Sequence, residues 1–156
     1  MIVGRVTLSD RASAGIYEDL SGPEIERVFR EVWGGEVAFE SRILPDDRQK
    51  LAAALRELAD DLQLPLVITT GGTGPSARDV TPEATRDVLE KELPGFGEAM
   101  RSLSFPKVPT AILSRATAGV RGRTLILNLP GRPSSIGECL PPLVPAIREA
   151  LKHLAE

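Results

Sequence analysis

The stretch from Ile68 to Ala84, ITTGGTGPSARDVTPEA, carries the densest chemical signal in the chain. An apolar run ends in Gly71, Gly72 and Gly74; Arg78-Asp79 and Thr81-Pro82-Glu83 follow. Glycine adopts left-handed turns and leaves backbone N–H groups uncovered. Successive N–H groups in such turns form a concave anion nest, so Gly71, Gly72, Thr73 and Gly74 read as a cradle for phosphate or carboxylate. The competing reading is a turn that only lets a strand and a helix pack.

Asp79 sits on the lip of this loop. It could hold a divalent cation against a nucleotide's phosphates, because magnesium takes one or two carboxylates plus phosphate oxygens. It could equally cap its loop or pair with an arginine. Asp46 and Asp47 raise the same choice after an earlier apolar segment, where Asp46 also has the spacing of a helix cap. Two acids at neighbouring strand ends, one beside an anion nest, favour a metal–phosphate site over either acid alone.

Other residues keep two readings. Ser9-Asp10-Arg11 could reach the same mouth or form a turn. Ser114-Arg115 could grip a phosphate through the arginine, or lie in solvent. Asn128, in Asn128-Leu129-Pro130-Gly131, could bond a heterocycle or steady a turn. His153 reads as a cation at a helix end, and Cys139 as a small apolar filler. A Walker loop is excluded, since Pro75-Ser76-Ala77-Arg78 stands where Gly-Lys-Ser/Thr is required. Gly72-x-Gly74-x-x-Ala77 fits a dinucleotide pattern in letters only: Pro75 follows the second glycine and the next helix starts late.

These residues need strands to carry them. The segments 2–8, 36–44, 64–70, 110–116 and 123–129 read as strands, with a glycine-marked turn near Gly119 to Gly122. Helices are expected from Ser21 with a Ser21–Glu24 capping box, after Asp46 with an Asp46–Gln49 box, and from Thr81 to about Glu92. A short helix over PGFGEAMRSLS and a final helix broken or kinked by Pro141, Pro142 and Pro145 complete the series. Alternating strands and helices predict a three-layer α/β/α domain with a largely parallel central sheet, one domain over residues 1–156. Ligands of such sheets bind beyond the carboxyl ends of strands, where the glycine loop lies.

The composition agrees. Hydrophobic residues make up 42% of the 156, enough for a core, and a net charge of −3 argues against a nucleic-acid surface. Aromatics are only 4%, too few for base-stacking platforms. One cysteine excludes an internal disulfide and a cysteine zinc site. No apolar run suits a signal core or a membrane span, so a soluble protein of a reducing, cytoplasmic compartment is expected.

Six segments taken together, SDRASAG (9–15), LPDD (44–47), TTGGTGPSARDVTPEA (69–84), PGFGEAMR (94–101), PTAILSR (109–115) and LNLPGRPSSI (127–136), resemble the molybdopterin adenylyltransferases of molybdenum-cofactor biosynthesis. Related molybdopterin-binding domains occur in larger cofactor-assembly and scaffold proteins. The resemblance implies that the terminal phosphate of molybdopterin attacks the α-phosphorus of ATP and pyrophosphate leaves. By it, Asp46 and Asp79 organise magnesium and Gly71 to Gly74 cradle nucleotide phosphates. Ser9, Ser104, Ser114, Arg115, Asn128, Pro130 and Gly131 fall on the molybdopterin side. It also implies a homotrimer that passes its product to a molybdenum-insertion enzyme. A carrier module that binds the pterin without chemistry is the alternative, and the presence of both aspartates favours catalysis.

Overall fold

The computed structural model describes residues 1–156. Six strands form one sheet in the order β2-β1-β3-β6-β5-β4. β1 (Ile2–Leu8), β2 (Ala38–Leu44), β3 (Leu66–Thr70) and β6 (Thr124–Leu129) are parallel neighbours. β5 (Ala118–Arg121) and β4 (Lys91–Glu92) add an antiparallel edge. A single helical turn, α1 (Asp10–Ser13), follows β1 and is capped by the Ser9 hydroxyl.

Side-chain alternation divides the core between the two faces of the sheet. Leu66, Ile68, Leu125 and Leu127 point into one cluster with Ile25 and Phe29 of α2 (Ser21–Trp33), Met100 of α5 (Gly95–Ser104) and Ile136, Leu140 and Leu143 of α6 (Pro133–Ala155). Val67 and Ile126 point the other way, onto Leu51 and Leu55 of α3 (Arg48–Arg56), Val88 of α4 (Thr81–Val88), and Leu58. Leu58 belongs to a π-helical turn, Glu57–Asp61, that extends α3. The result is the expected three-layer arrangement. The chain leaves β1 for α2 on one face and leaves β3 for α4 on the other. The ends of β1 and β3 therefore diverge, and a crevice opens between them at this switch point.

Four expectations need correction. Residues 110–116 form no strand: Pro109–Leu113 is a 3₁₀ turn with Ile112 and Leu113 exposed, and the strand begins at Ala118. Pro109 suits a first helical turn and lacks the N–H a ladder needs. α4 stops at Val88 instead of Glu92, because Leu89 turns extended and Glu90 N–H donates to the Val120 carbonyl. Sheet pairing wins there over helix propagation. α6 runs unbroken for 23 residues through its three prolines. Pro142 and Pro145 lie on the exposed side, where freed carbonyls meet water, while the buried stripe Ile136–Leu140–Leu143–Ile147 holds the helix on the core. Finally, the helix caps shift. Asp19, not Ser21, accepts the Gly22 N–H at 3.0 Å. Asp47, not Asp46, accepts the Lys50 N–H at 2.9 Å and caps α3.

Candidate functional site

That one-residue shift matters for chemistry. With Asp47 capping the helix, Asp46 is free to turn toward the crevice. It borders a cavity with Ser9, Tyr17, Asp19, Gly71, Gly72, Asp79 and Gly131. Asp46 and Asp79 thus face one space, carried there by the ends of β2 and β3.

Each aspartate is fixed through one oxygen and leaves the other uncommitted. Asp46 Oδ2 accepts the Asp10 N–H at 3.2 Å, and Asp10 Oδ1 accepts the Asp46 N–H at 2.9 Å. Asp79 Oδ2 accepts the Ser76 N–H at 3.0 Å. Neither Oδ1 has a hydrogen-bond partner in the chain. Burial pushes the Asp46 carboxyl above the ordinary carboxylate value, and the Asp10 and Asp79 charges push the same way. The Arg78 fork onto Asp10 holds that carboxyl below its ordinary value.

The glycines are required first by the protein itself. Gly71 and Gly72 have φ of 91° and 68°. A Cβ on Gly71 would lie 2.4 Å from the Leu8 carbonyl oxygen, and one on Gly72 would lie 2.3 Å from Thr81 Oγ1. Thr81 itself donates to the Gly71 carbonyl at 2.8 Å, and its N–H to the Gly72 carbonyl at 3.1 Å. The close neighbour is thus the end of β1 and the start of α4. None of the N–H groups from Gly71 to Gly74 donates a hydrogen bond in the chain, and of these four residues Gly71 and Gly72 line the cavity. α4 begins only at Thr81, so no helix N-terminus follows the Gly72-x-Gly74-x-x-Ala77 match as a dinucleotide site requires.

A second cavity adjoins the first. Met100, Arg101, Ser104, Thr110, Ser114, Pro130, Gly131, Arg132, Ser135 and Cys139 line it. Gly131 borders both cavities. Ser104, Ser114 and Pro130 lie here, and Ser9 in the first. Cys139 is 1% exposed, its Sγ 3.5 Å from Ser104 Oγ, and burial pushes its thiol up. It is packed as the sequence suggests, although it forms part of the cavity wall.

Four expected site residues line neither cavity: Thr73, Gly74, Arg115 and Asn128. Asn128 is fully buried; its Oδ1 accepts the Thr117 N–H, and its Nδ2 donates to Thr69 and Thr85 hydroxyls at 3.0 Å. All its capacity is spent on joining β6 to β3 and α4. Arg115 braces the glycine loop. Its Nε donates to the Gly74 carbonyl and its Nη2 to the Asp79 carbonyl, each at 2.9 Å, and Nη1 pairs with Glu83. Its own N–H bonds the Thr73 carbonyl at 2.8 Å.

The structure also adds residues. Tyr17 and Asp19 line the first cavity, and Arg101 and Arg132 the second. Asp19 is held by buried Arg5 at 3.0 Å. Arg5 sits inside an alternating strand pattern, so nothing in the sequence marked it as a buried anchor.

A family described as "Probable molybdopterin binding domain" matches residues 4–149. The chain is 52% identical over 145 residues to a molybdopterin adenylyltransferase of Helicobacter pylori strain J99, covering 93% of this chain and 82% of the relative. It is 49% identical over 138 residues to the molybdopterin adenylyltransferase of Escherichia coli K12, covering 88% and 71%. The solved structure of the molybdopterin biosynthesis enzyme MoaB from Thermus thermophilus superposes with a TM-score of 0.88 at 44% identity, covering 98% of this chain and 95% of the other.

Proposed function

The chain belongs to the molybdopterin-binding-domain family, and from that premise we propose that it adenylylates molybdopterin with ATP. The observation that carries this reading is the pair of cavities meeting at Gly131. One offers carboxylates and bare amides, the other two arginines and hydroxyls with a single carboxylate, Glu138. A transfer between two phosphate-bearing substrates needs two such sites in contact, because positioning supplies most of the rate in phosphoryl-type chemistry.

In this reading the nucleotide lies in the first cavity, its phosphates against the N–H groups of Gly71 and Gly72. Molybdopterin lies in the second, near Ser104, Ser114 and Arg132. An oxygen of its terminal phosphate forms a bond to the α-phosphorus. The bond from that phosphorus to the α,β-bridging oxygen breaks, and its electron pair leaves with pyrophosphate. No covalent enzyme intermediate is invoked.

The donor set suits magnesium. Asp19, Asp46 and Asp79 line the first cavity, and no lysine, arginine or histidine does. No cluster of three acids or other ligating side chains is tight enough to hold an ion alone. Asp46 and Asp79 would therefore hold the ion jointly with phosphate oxygens, as magnesium prefers. Bound there, it supplies charge neutralisation to the triphosphate. A binding-only module has no need of two carboxylates that each keep an oxygen uncommitted. Homotrimer formation, a cytoplasmic location and hand-off to a metal-insertion enzyme belong to the same proposal. No helix is long and apolar enough to cross a membrane.

The test is incubation of the protein with ATP, magnesium and molybdopterin, followed by mass analysis. A pterin product heavier by one adenylyl group is expected. Recovery of unchanged molybdopterin, bound but unmodified, would leave the carrier reading in its place.

A further inference from the structure

The acidic character of the first cavity leaves a charge problem that no residue on its wall solves. A triphosphate entering it meets Asp46 and Asp79, with Asp10 and Asp47 close behind, and no basic side chain lines the space. Arg78 lies just outside this lining, at the rim marked by its chain neighbour Asp79, in the turn that Asp79 closes, and is tied through Asp10 to Asp46.

Its guanidinium is only half engaged. Nε donates to Asp10 Oδ2 at 3.0 Å and Nη2 to Asp10 Oδ1 at 2.8 Å. Nη1 has no partner, so the Nη1–Nη2 edge stays open with its parallel donors. Arg115, which braces the same loop from another segment, has all three nitrogens committed to the chain. Asp10 is in turn locked to Asp46 by two reciprocal backbone bonds. The open edge of Arg78 is thereby held at a fixed place relative to Asp46. The side chain is 68% exposed, so the edge is accessible to a ligand.

We infer that Arg78 is a substrate-binding residue for the two terminal phosphates of the nucleotide, which depart as pyrophosphate, and that Asp10 positions it. This rests on the nucleotide occupying the first cavity. A guanidinium edge matches two phosphate oxygens as it matches a carboxylate. Charge accumulates on the leaving pyrophosphate as the bridging bond breaks, and a fixed cation there stabilises it without reorganising. The mononucleotide part carries no phosphate to that rim, so Arg78 distinguishes the two halves of the substrate.

Calorimetric titration with AMP and, separately, with magnesium pyrophosphate separates the roles. Arg78→Ala should weaken pyrophosphate about tenfold or more, the scale of a charge-assisted bond pair, and change AMP by less than about twofold. Arg78→Lys should fall between, since it keeps the charge and loses the fork. AMP binding also reports that each variant is folded. Equal weakening of both ligands would make Arg78 a prop of the loop and overturn the inference, as would unchanged pyrophosphate affinity. Failure of the wild-type protein to bind either ligand would overturn the nucleotide site itself along with it.

Discussion

The two cavities share a wall at Gly131 and differ in their charge. One is walled by Asp19, Asp46 and Asp79 with no cation; the other carries Arg101 and Arg132. Yet both are proposed to receive phosphate. The difference teaches how the charge is met in each. The first must recruit a divalent ion and backbone amides, so its affinity depends on metal. The second sets Arg101 and Arg132 against one carboxylate, Glu138, so its side chains supply net positive charge and a pterin phosphate can bind there without a metal.

The sharpest way to break this contrast is to remove a carboxylate from the first cavity. Asp79→Asn keeps a group that can accept the Ser76 N–H, so the fold should hold. Molybdopterin-dependent pyrophosphate release should fall at least about 100-fold, the scale of losing one electrostatic contact to the transition state. Molybdopterin affinity, measured separately, should stay within about twofold. Gly72→Val comes next. Its Cβ would meet Thr81 Oγ1 at 2.3 Å in a backbone of φ 68°. Thermal unfolding should show a loss of about 1–3 kcal/mol, and titration with a non-hydrolysable ATP analogue a loss of affinity.

Arg132→Ala attacks the other side. It should weaken molybdopterin about tenfold while leaving nucleotide affinity alone. If both ligands weaken together, the division of the two cavities is wrong. The smallest effect concerns the brace behind the nest. Arg115 beside Glu83 holds that carboxyl below its ordinary value of 4.5. Because the folded value is the lower one, this contribution is complete above about pH 4.5 and fades as pH falls toward the folded value. Both side chains are about one-third exposed, so its size is only about 0.5 kcal/mol. Glu83→Gln should remove that acid-limb dependence in unfolding experiments and little else.

The same contrast shows what a sequence can carry. The glycine loop was legible because three glycines after a buried strand force a tight turn, whatever it binds. The layers were legible because the strands alternate or run continuously apolar. Asp46 against Asp47 was not: both follow β2, and the Asp46–Gln49 capping-box spacing pointed to the wrong one as the cap. Only the Pro45–Asp47 backbone decides which one caps and which one faces the cavity. The residues alone left Asn128 and Arg115 with two readings each, and the family resemblance put both on the molybdopterin side. The first is consumed in the core and the second in bracing the loop, since tertiary partners far along the chain claim their donors. Of the second cavity, Ser104, Ser114, Pro130 and Gly131 were named through the family resemblance, whereas Arg101 and Arg132 carried no sign, because they come from separate segments and join the others only after folding. The three prolines of α6 misled in the other direction. Local chemistry argues for a break, and the buried stripe on the opposite face overrides it.

A crystal structure with adenylylated molybdopterin bound tests the arrangement most directly. The account predicts the adenylate against Asp46, Asp79 and the Gly71 and Gly72 amides, the pterin beside Ser104 and Arg132, and the linkage between them passing over Gly131. Density placing the whole product inside one cavity, with the other untouched, would contradict it.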